Sequence, residues 1–275
     1  MDIKCIALDL DRTTLDAEGR LSPGNREALE YAIARGVHIV IASGRSFGSL
    51  PRDVVSVPGI EYAITSNGAA VCHVPTGRRL HGYVLEPRSV LDILRLTEHE
   101  PVVYETFING EAYADAAYVR DPVAHGATPQ AIPYIQSTRR PEPDIRAFIR
   151  AHSRELDSLD LVVGDENTKQ RIWAELERAV PDIYVTSSVQ QLIEISHADA
   201  GKHAGVRYVT ELLGLSPAQT AAFGDGDNDA DMLRYVGCGI AVANAAPACL
   251  AAADYVTASH DRDGVARGIY DILQI

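Results

Sequence analysis

Cysteine is scarce and poorly spaced for chemistry. The chain has four, Cys5, Cys72, Cys238 and Cys249. No two form a Cys-x-x-Cys pair, which sets aside a zinc ribbon and a redox dithiol. Cys5 and Cys238 lie in apolar runs and read as small core residues. Positive charge is also short: 25 Lys and Arg against 38 Asp and Glu leave a formal net charge of -13. A general nucleic-acid binder, or a protein that coats an anionic membrane, needs a basic face, so neither partner is expected. A small anionic substrate held by a few local cations stays open. Long apolar runs are missing too; nothing approaches the ~18 residues of a membrane span. The start, Met1 to Ala7, leads straight into a strand, without the basic segment and apolar stretch of a secretion signal. A reduced, cytoplasmic compartment is the expectation. Low-complexity sequence is absent, and 275 residues suffice for one large α/β domain or two smaller ones.

What the chain does have is a dense acidic run near its end, Gly224-Asp225-Gly226-Asp227-Asn228-Asp229. It follows apolar Ala221-Ala222-Phe223 and precedes a helix start at Ala230-Asp231-Met232-Leu233. Like charges this close repel, and desolvation raises the cost. A cation relieves both; a solvated acidic turn is the other reading. Oxygen-only ligands suit a hard ion, magnesium or calcium, over zinc. A calcium-binding hand is excluded, because its loop needs Gly at position six and Glu at position twelve, where this chain has Ala230 and Val236.

Other strand ends carry polar groups as well. Ile6-Ala7-Leu8 reads as a strand buried on both faces, ending in Asp9-Leu10-Asp11-Arg12-Thr13-Thr14. On a continuing strand, Asp9 and Asp11 would face one side, about 7 Å apart. Ser22-Pro23 opens a helix as N-cap and first residue, and Gly36 closes it. A second strand, Val37 to Ala42, ends in Ser43-Gly44-Arg45. There Ser43 offers a hydroxyl and Gly44 lets backbone approach a ligand. A third, Tyr62 to Thr65, is followed by Ser66-Asn67-Gly68, a turn signal, and a hairpin from Ala69 to Tyr83. Lys202 sits in the first turn of a helix running to Leu213. The macrodipole disfavours a cation there, so an anion nearby would explain it. Thr220 to Phe223 is the fourth strand.

Between about 83 and 192 the texture changes, with more aromatics, proline and charges of both signs. Helices are predicted at Pro87–Glu98, Asp144–Leu156 and Asn167–Val180. Strands are predicted at 102–107, 112–114, 159–163, 183–186 and 192–195. This reads as an inserted second domain, giving core segments 1–82 and 193–275 around an insert 83–192. Carboxylates, a hydroxyl, a cation and an acidic cluster at the strand ends of one α/β sheet suit phosphoryl transfer, which rests on positioning and charge neutralisation.

These motifs together resemble the haloacid-dehalogenase superfamily, and within it the Cof-type phosphatases. The resemblance spans the chain. It rests on Asp-Leu-Asp-x-Thr at 9–13, Ala-Ser-Gly-Arg at 42–45, Ser-Asn-Gly-Ala at 66–69, Lys202, Gly-Asp-x-x-Asn-Asp at 224–229 and Asp263-Gly264-Val265-Ala266. It implies a Rossmann-like parallel-sheet core with an inserted α/β cap that closes over the site and selects the leaving group. It implies Asp9 as nucleophile, forming an aspartyl-phosphate, and Asp11 as acid and base. It implies Mg2+ held by Asp9, the Asp11 backbone carbonyl, Asp225 and Asp229. Ser43, the Gly44 backbone, Lys202 and Asn228 would hold the phosphate of a small phosphorylated metabolite, above all a sugar phosphate. Asp227 receives no role. Three departures stand out: Arg12 where the family usually has Gly, Thr14 where a small apolar residue is common, and His260 where Asn is common. A phosphosugar mutase on the same core and a non-catalytic phosphometabolite binder, the latter motivated by Arg12, are the competing readings. Oligomeric state is not readable from these residues.

Overall fold

A computed structural model describes residues 2–275. The chain divides into two compact units. The first holds the N-terminal segment to Arg45, then Leu50–His81 and Gly201–Ile275; the second holds Ser46–Ser49 and Gly82–Ala200.

In chain order the strands are β1 Cys5–Leu8, β2 His38–Ala42, β3 Ile60–Thr65, β4 Ala70–His73 and β5 Arg78–Gly82. Then come β6 Val102–Ile108, β7 Glu111–Asp115, β8 Arg139–Glu142, β9 Leu156–Val163, β10 Ile183–Thr186 and β11 Leu192–His197. The last three are β12 Thr220–Gly224, β13 Cys238–Ala241 and β14 Tyr255–Val256.

The first unit is built on a sheet of order β14-β13-β12-β1-β2-β3-β4-β5. From β14 to β3 every neighbouring pair is parallel; β4 turns back antiparallel on β3. β1 and β12 are buried along their whole length, as expected where helices cover both faces. β1 lies between β2 and β12. The chain therefore leaves β1 toward one side and returns on the other, the switch point at which open α/β sheets bind ligands beyond their carboxyl ends. The register Leu8↔Phe223 brings Asp9 and Asp225 to that same edge. Ser22 caps the helix Pro23–Ala34 by accepting from the Asn25 N–H at 3.1 Å, and Gly36 follows it in the left-handed region.

The second unit carries its own sheet, β10-β11-β9-β6-β7-β8, antiparallel except for the parallel pair β7 and β8. One face is covered by the helices Pro87–Leu96, Ile145–Ala151 and Glu166–Ala179 over a core of Leu, Ile and Val. β11 pairs with both β9 and β10. The second unit thus runs on to Ala200, past the 192 read from composition, and strand pairing sets that limit. The helix expected over Asp144–Leu156 stops at Ala151, and Leu156 already opens β9. Two short helices, Ala116–Arg120 and Ile132–Thr138, and the strand β8 carry no clear period and were not anticipated.

Candidate active site

Asp9 is the first residue beyond β1. Its N–H donates to Phe223 O at 3.0 Å, which extends the β1–β12 pairing by one residue. The strand then stops. Leu10–Thr14 wind into a single turn, so Asp9 and Asp11 do not share the face of a strand as the spacing alone suggested. Within that turn Arg12 has φ 60° and ψ 12°, the left-handed region that favours glycine. The Arg12 carbonyl accepts from Asn244 Nδ2 at 2.9 Å, and Asn25 Nδ2 donates to Thr14 O at 2.9 Å. The turn is fixed from outside as well as by its own residues.

Asp9, Asp225 and Asp229 form one buried cluster, each offering a carboxylate oxygen within 4.8 Å of the others. Lys202 opens the helix Lys202–Leu212 and projects into it, fully buried. Its Nζ donates to Asp9 Oδ1 at 2.7 Å and to Asp229 Oδ1 at 2.6 Å. The second oxygen of Asp229 accepts from the N–H groups of Asp225 and Gly226, at 2.9 and 3.0 Å. Asp229 is thus held on both sides. Thr13 Oγ1 donates to Asp225 Oδ1 at 3.1 Å, and Thr14 Oγ1 donates to Asp9 O at 2.5 Å. Asp227 is exposed and joins none of these contacts.

The electrostatics follow from burial. Burial first, and then the negative charge of Asp229, push the Asp9 carboxyl well above the usual carboxylate range; Lys202 pulls the other way. Burial and Asp229 push Asp225 up to about 6, against the Arg12 guanidinium and the Thr13 hydroxyl. Burial alone would lower Lys202, but the charges of Asp229 and Asp9 outweigh it and raise Lys202 above the ordinary lysine range. Three carboxylates thus share one interior cation, with Arg12 Nε 3.7 Å from Asp225 Oδ2 at a more exposed rim. The donor set is all oxygen and its charge is undercompensated, which fits a hard divalent ion.

The Asp11 carboxylate lies outside the cluster. Arg45 Nε and Nη2 donate to its two oxygens at 2.8 and 2.6 Å. The Arg45 N–H also donates to Ser43 Oγ at 3.2 Å. The Ser43 carbonyl accepts from the Asn67 N–H at 3.2 Å, and Asn67 Oδ1 accepts from Asn228 Nδ2 at 2.9 Å. Ser43, Asn67 and Asn228 are buried; Gly44 is partly buried between Ser43 and Arg45. A bonded chain therefore runs from the end of β2 to the acidic run behind β12. Gly68 seats it: φ is 93°, and a Cβ there would lie 2.0 Å from the Gly201 carbonyl, just before Lys202.

Sequence reasoning assigned no role to Arg45, Thr13, Thr14 or Asn25, and only a secondary one to Asn67. Arg45 stood inside a quoted motif, yet nothing in its spacing pointed to Asp11. Asn25 is fully buried in the first helix; it spans Thr14 O and the Ala266 N–H, which donates to Asn25 Oδ1 at 3.0 Å. An asparagine on a helix face predicted to be buried is a signal that could have flagged it.

A family model described as haloacid dehalogenase-like hydrolase matches residues 6–269. Phosphatase YwpJ of Bacillus subtilis is 29% identical, the match covering 98% of this chain and all of that protein. The 5-amino-6-(5-phospho-D-ribitylamino)uracil phosphatase YcsE of the same organism is 27% identical, over 98% and 95% of the two chains. Among solved structures, a haloacid dehalogenase-like hydrolase from B. subtilis superposes with a TM-score of 0.83 at 26% identity, covering 98% of this chain and all of the other. The subclass IIB sugar phosphatase BT4131 superposes at 0.81 with 22% identity, over 99% and 100%, a likeness of fold.

Proposed function

The chain belongs to the haloacid dehalogenase-like hydrolase family and is a phosphatase, and we propose that it cleaves small phosphorylated metabolites through an aspartyl-phosphate on Asp9. The observation that carries the reading is the single cation Lys202 bonded to Asp9 and Asp229, with Asp225 beside them, at the switch point of a parallel sheet.

Lys202 holds Asp9 Oδ1, which leaves the second carboxylate oxygen to attack phosphorus. As the ester bond breaks, Asp11 protonates the departing alcohol oxygen. It then takes a proton from the water that attacks the aspartyl-phosphate, and Asp9 is released as inorganic phosphate leaves. Before substrate arrives both Asp11 oxygens accept from Arg45; to act as the acid, Asp11 gives up one of these bonds and takes a proton from solvent. Ser43, the Gly44 backbone and Asn228 hold the phosphate oxygens. The hydrogen bonds that tie Ser43 to Asn228 through Asn67 support that assignment, because they fix those two residues before binding. Asp9, Asp225 and Asp229, with the Asp11 backbone carbonyl, would hold Mg2+. The ion supplies charge neutralisation, so that a carboxylate can approach a phosphate dianion.

The substrate class we infer is a sugar or polyol phosphate. The support is the relative at 27% identity, whose name specifies a phosphorylated ribityl group. A phosphate-release screen over a panel of metabolite phosphates, with and without magnesium, tests this. Sugar and polyol phosphates should be turned over with magnesium, and the Asp9→Asn protein should release none. Full activity in Asp9→Asn would sink the covalent route, and turnover of no sugar or polyol phosphate would sink the substrate class.

A further inference from the structure

Away from the carboxylate cluster, the first unit has an open cavity of about 580 Å3, lined by Tyr62, His73, Arg78, Arg79, Leu80, Tyr208 and Leu212. The volume is that of a small-molecule site. None of these residues belongs to the catalytic constellation. Tyr208 and Leu212 stand on the helix that Lys202 opens, six and ten residues further on, roughly 9 and 15 Å along its axis.

Two features of the wall stand out. The first is charge. Arg78, Arg79 and His73 line the cavity and no Asp or Glu does, in a chain whose net charge is -13. Arg78 is exposed, and among the described residues its guanidinium makes no hydrogen bond or ion pair. Arg79 is anchored instead: its Nη2 donates to Ala69 O at 2.9 Å. The second feature is a rigid aromatic surface. The Tyr208 hydroxyl donates to Leu80 O at 3.3 Å, and its ring stacks on His81 at 4.5 Å with planes 10° apart. Tyr62 lies beside His73, ring centroids 6.0 Å apart. Leu80 and Leu212 add apolar area, and Leu212 is 53% exposed.

We propose that this cavity binds a small aromatic anion, a planar ring carrying a phosphate, sulfonate or carboxylate, at a site separate from the catalytic centre. The ring lies against Tyr62 and Tyr208 with Leu212 at its edge. The anionic group meets Arg78, whose planar fork matches tetrahedral and carboxylate oxygens, with His73 and Arg79 adding positive potential. The ring contributes the apolar and stacking part of the affinity, the guanidinium the charged part.

Naphthalene-1-sulfonate is a suitable probe, because a phosphatase cannot hydrolyse it. Titration calorimetry on the full chain should show one equivalent bound, and methanesulfonate, which has no ring, should bind far more weakly. Arg78→Ala should weaken the probe about tenfold, the loss of one charge-assisted contact. Leu212→Glu should weaken it at least as much, by removing apolar wall and adding repulsion. Both side chains are exposed, so both variants should keep the wild-type melting temperature. Saturating inorganic phosphate with magnesium should leave the probe in place. Three results would each overturn the proposal: equal affinity for probe and methanesulfonate, unchanged affinity in both variants, or displacement of the probe by phosphate at the catalytic centre. A change of oligomeric state in Arg78→Ala without probe binding to the wild type would equally reject it, in favour of a contact between copies.

Discussion

Arg12 Nε lies 3.7 Å from Asp225 Oδ2, so the residue that departs from the family's usual glycine pairs with a carboxylate of the buried acidic cluster. Two costs follow. The backbone at φ 60° carries a side chain where glycine is preferred, at about 1 kcal/mol. The guanidinium also competes with any cation for Asp225. Its side chain is 58% exposed, so solvent screens that competition and keeps it modest. Arg12→Gly should therefore raise stability slightly and lower the magnesium concentration for half-maximal activity about two- to fivefold, with kcat largely kept. A magnesium titration of phosphate release checks this; an unchanged midpoint would remove Arg12 from the cluster's electrostatics.

A second buried acidic group lies in the second unit, on strands rather than loops. Glu105 and Glu194 both stand opposite Asp160 in the register of β6, β9 and β11. Arg139 donates to both Glu105 oxygens, at 2.9 and 3.1 Å, and Ser158 Oγ donates to Asp160 Oδ1 at 2.9 Å. Burial, followed by the charges of Glu194 and Glu105, raises Asp160 well above the usual carboxylate range; Ser158 and Arg139 only partly oppose this. A carboxyl raised on folding binds its proton more tightly in the native state. Its stability contribution is complete below the unfolded value and is lost as pH rises through the folded one. Asp160→Asn keeps the shape without the charge, so its melting temperature should exceed wild type at pH 8. The gain should shrink toward pH 4. Equal melting curves at both pH values would mean that Asp160 carries no such strain.

Much of the first unit could be read in sequence because its strands are short apolar runs with polar ends, the pattern of a parallel sheet buried on both faces. Ser22-Pro23 and Gly36 marked a helix by local chemistry alone, and the hairpin after Gly68 follows from its turn residues. The side-chain partners were less legible. Asp9 and Asp229 are 220 residues apart, and only the β1–β12 pairing brings them together. Arg45 could be placed after β2 but not against Asp11, because the turn at Leu10–Thr14 departs from strand geometry where Arg12 goes left-handed. In the second unit, Ile132–Thr138 and β8 depend on packing rather than on a period of their own, so no window of sequence announces them.

Asn25 tests whether the turn after Asp9 is held from outside. It is fully buried and satisfies Thr14 O and the Ala266 N–H at once. Asn25→Ala strands both groups without water, at roughly 2–4 kcal/mol in total. Urea unfolding should show that loss. Phosphate release should slow as well, because Thr14 also bonds Asp9 O through its hydroxyl. Asn25→Asp sets a buried carboxylate against the Thr14 carbonyl, so at neutral pH it should be no more stable and no faster than Asn25→Ala. A variant as stable and as fast as wild type would mean that the turn needs no such brace.

Lys202 is the group on which the cluster's charge balance rests. Removing one partner of a buried ion pair costs more than the pair contributes net, because the remaining charge stays buried and uncompensated. Lys202→Met keeps the length and takes away the ammonium, leaving Asp9 and Asp229 facing each other with Asp225 beside them. The expected loss is about 3–5 kcal/mol of stability in metal-free protein. Magnesium should recover more melting temperature in this variant than in wild type, since the ion then supplies the only interior cation. Adding Asp229→Asn to Lys202→Met should recover stability without magnesium, because it removes one of the two stranded charges. Activity should stay low in both, about a hundredfold or more below wild type, since the charge bonded to Asp9 and proposed to meet the phosphate is gone. If magnesium stabilised the variant no more than wild type, the three carboxylates would not form the ion's site.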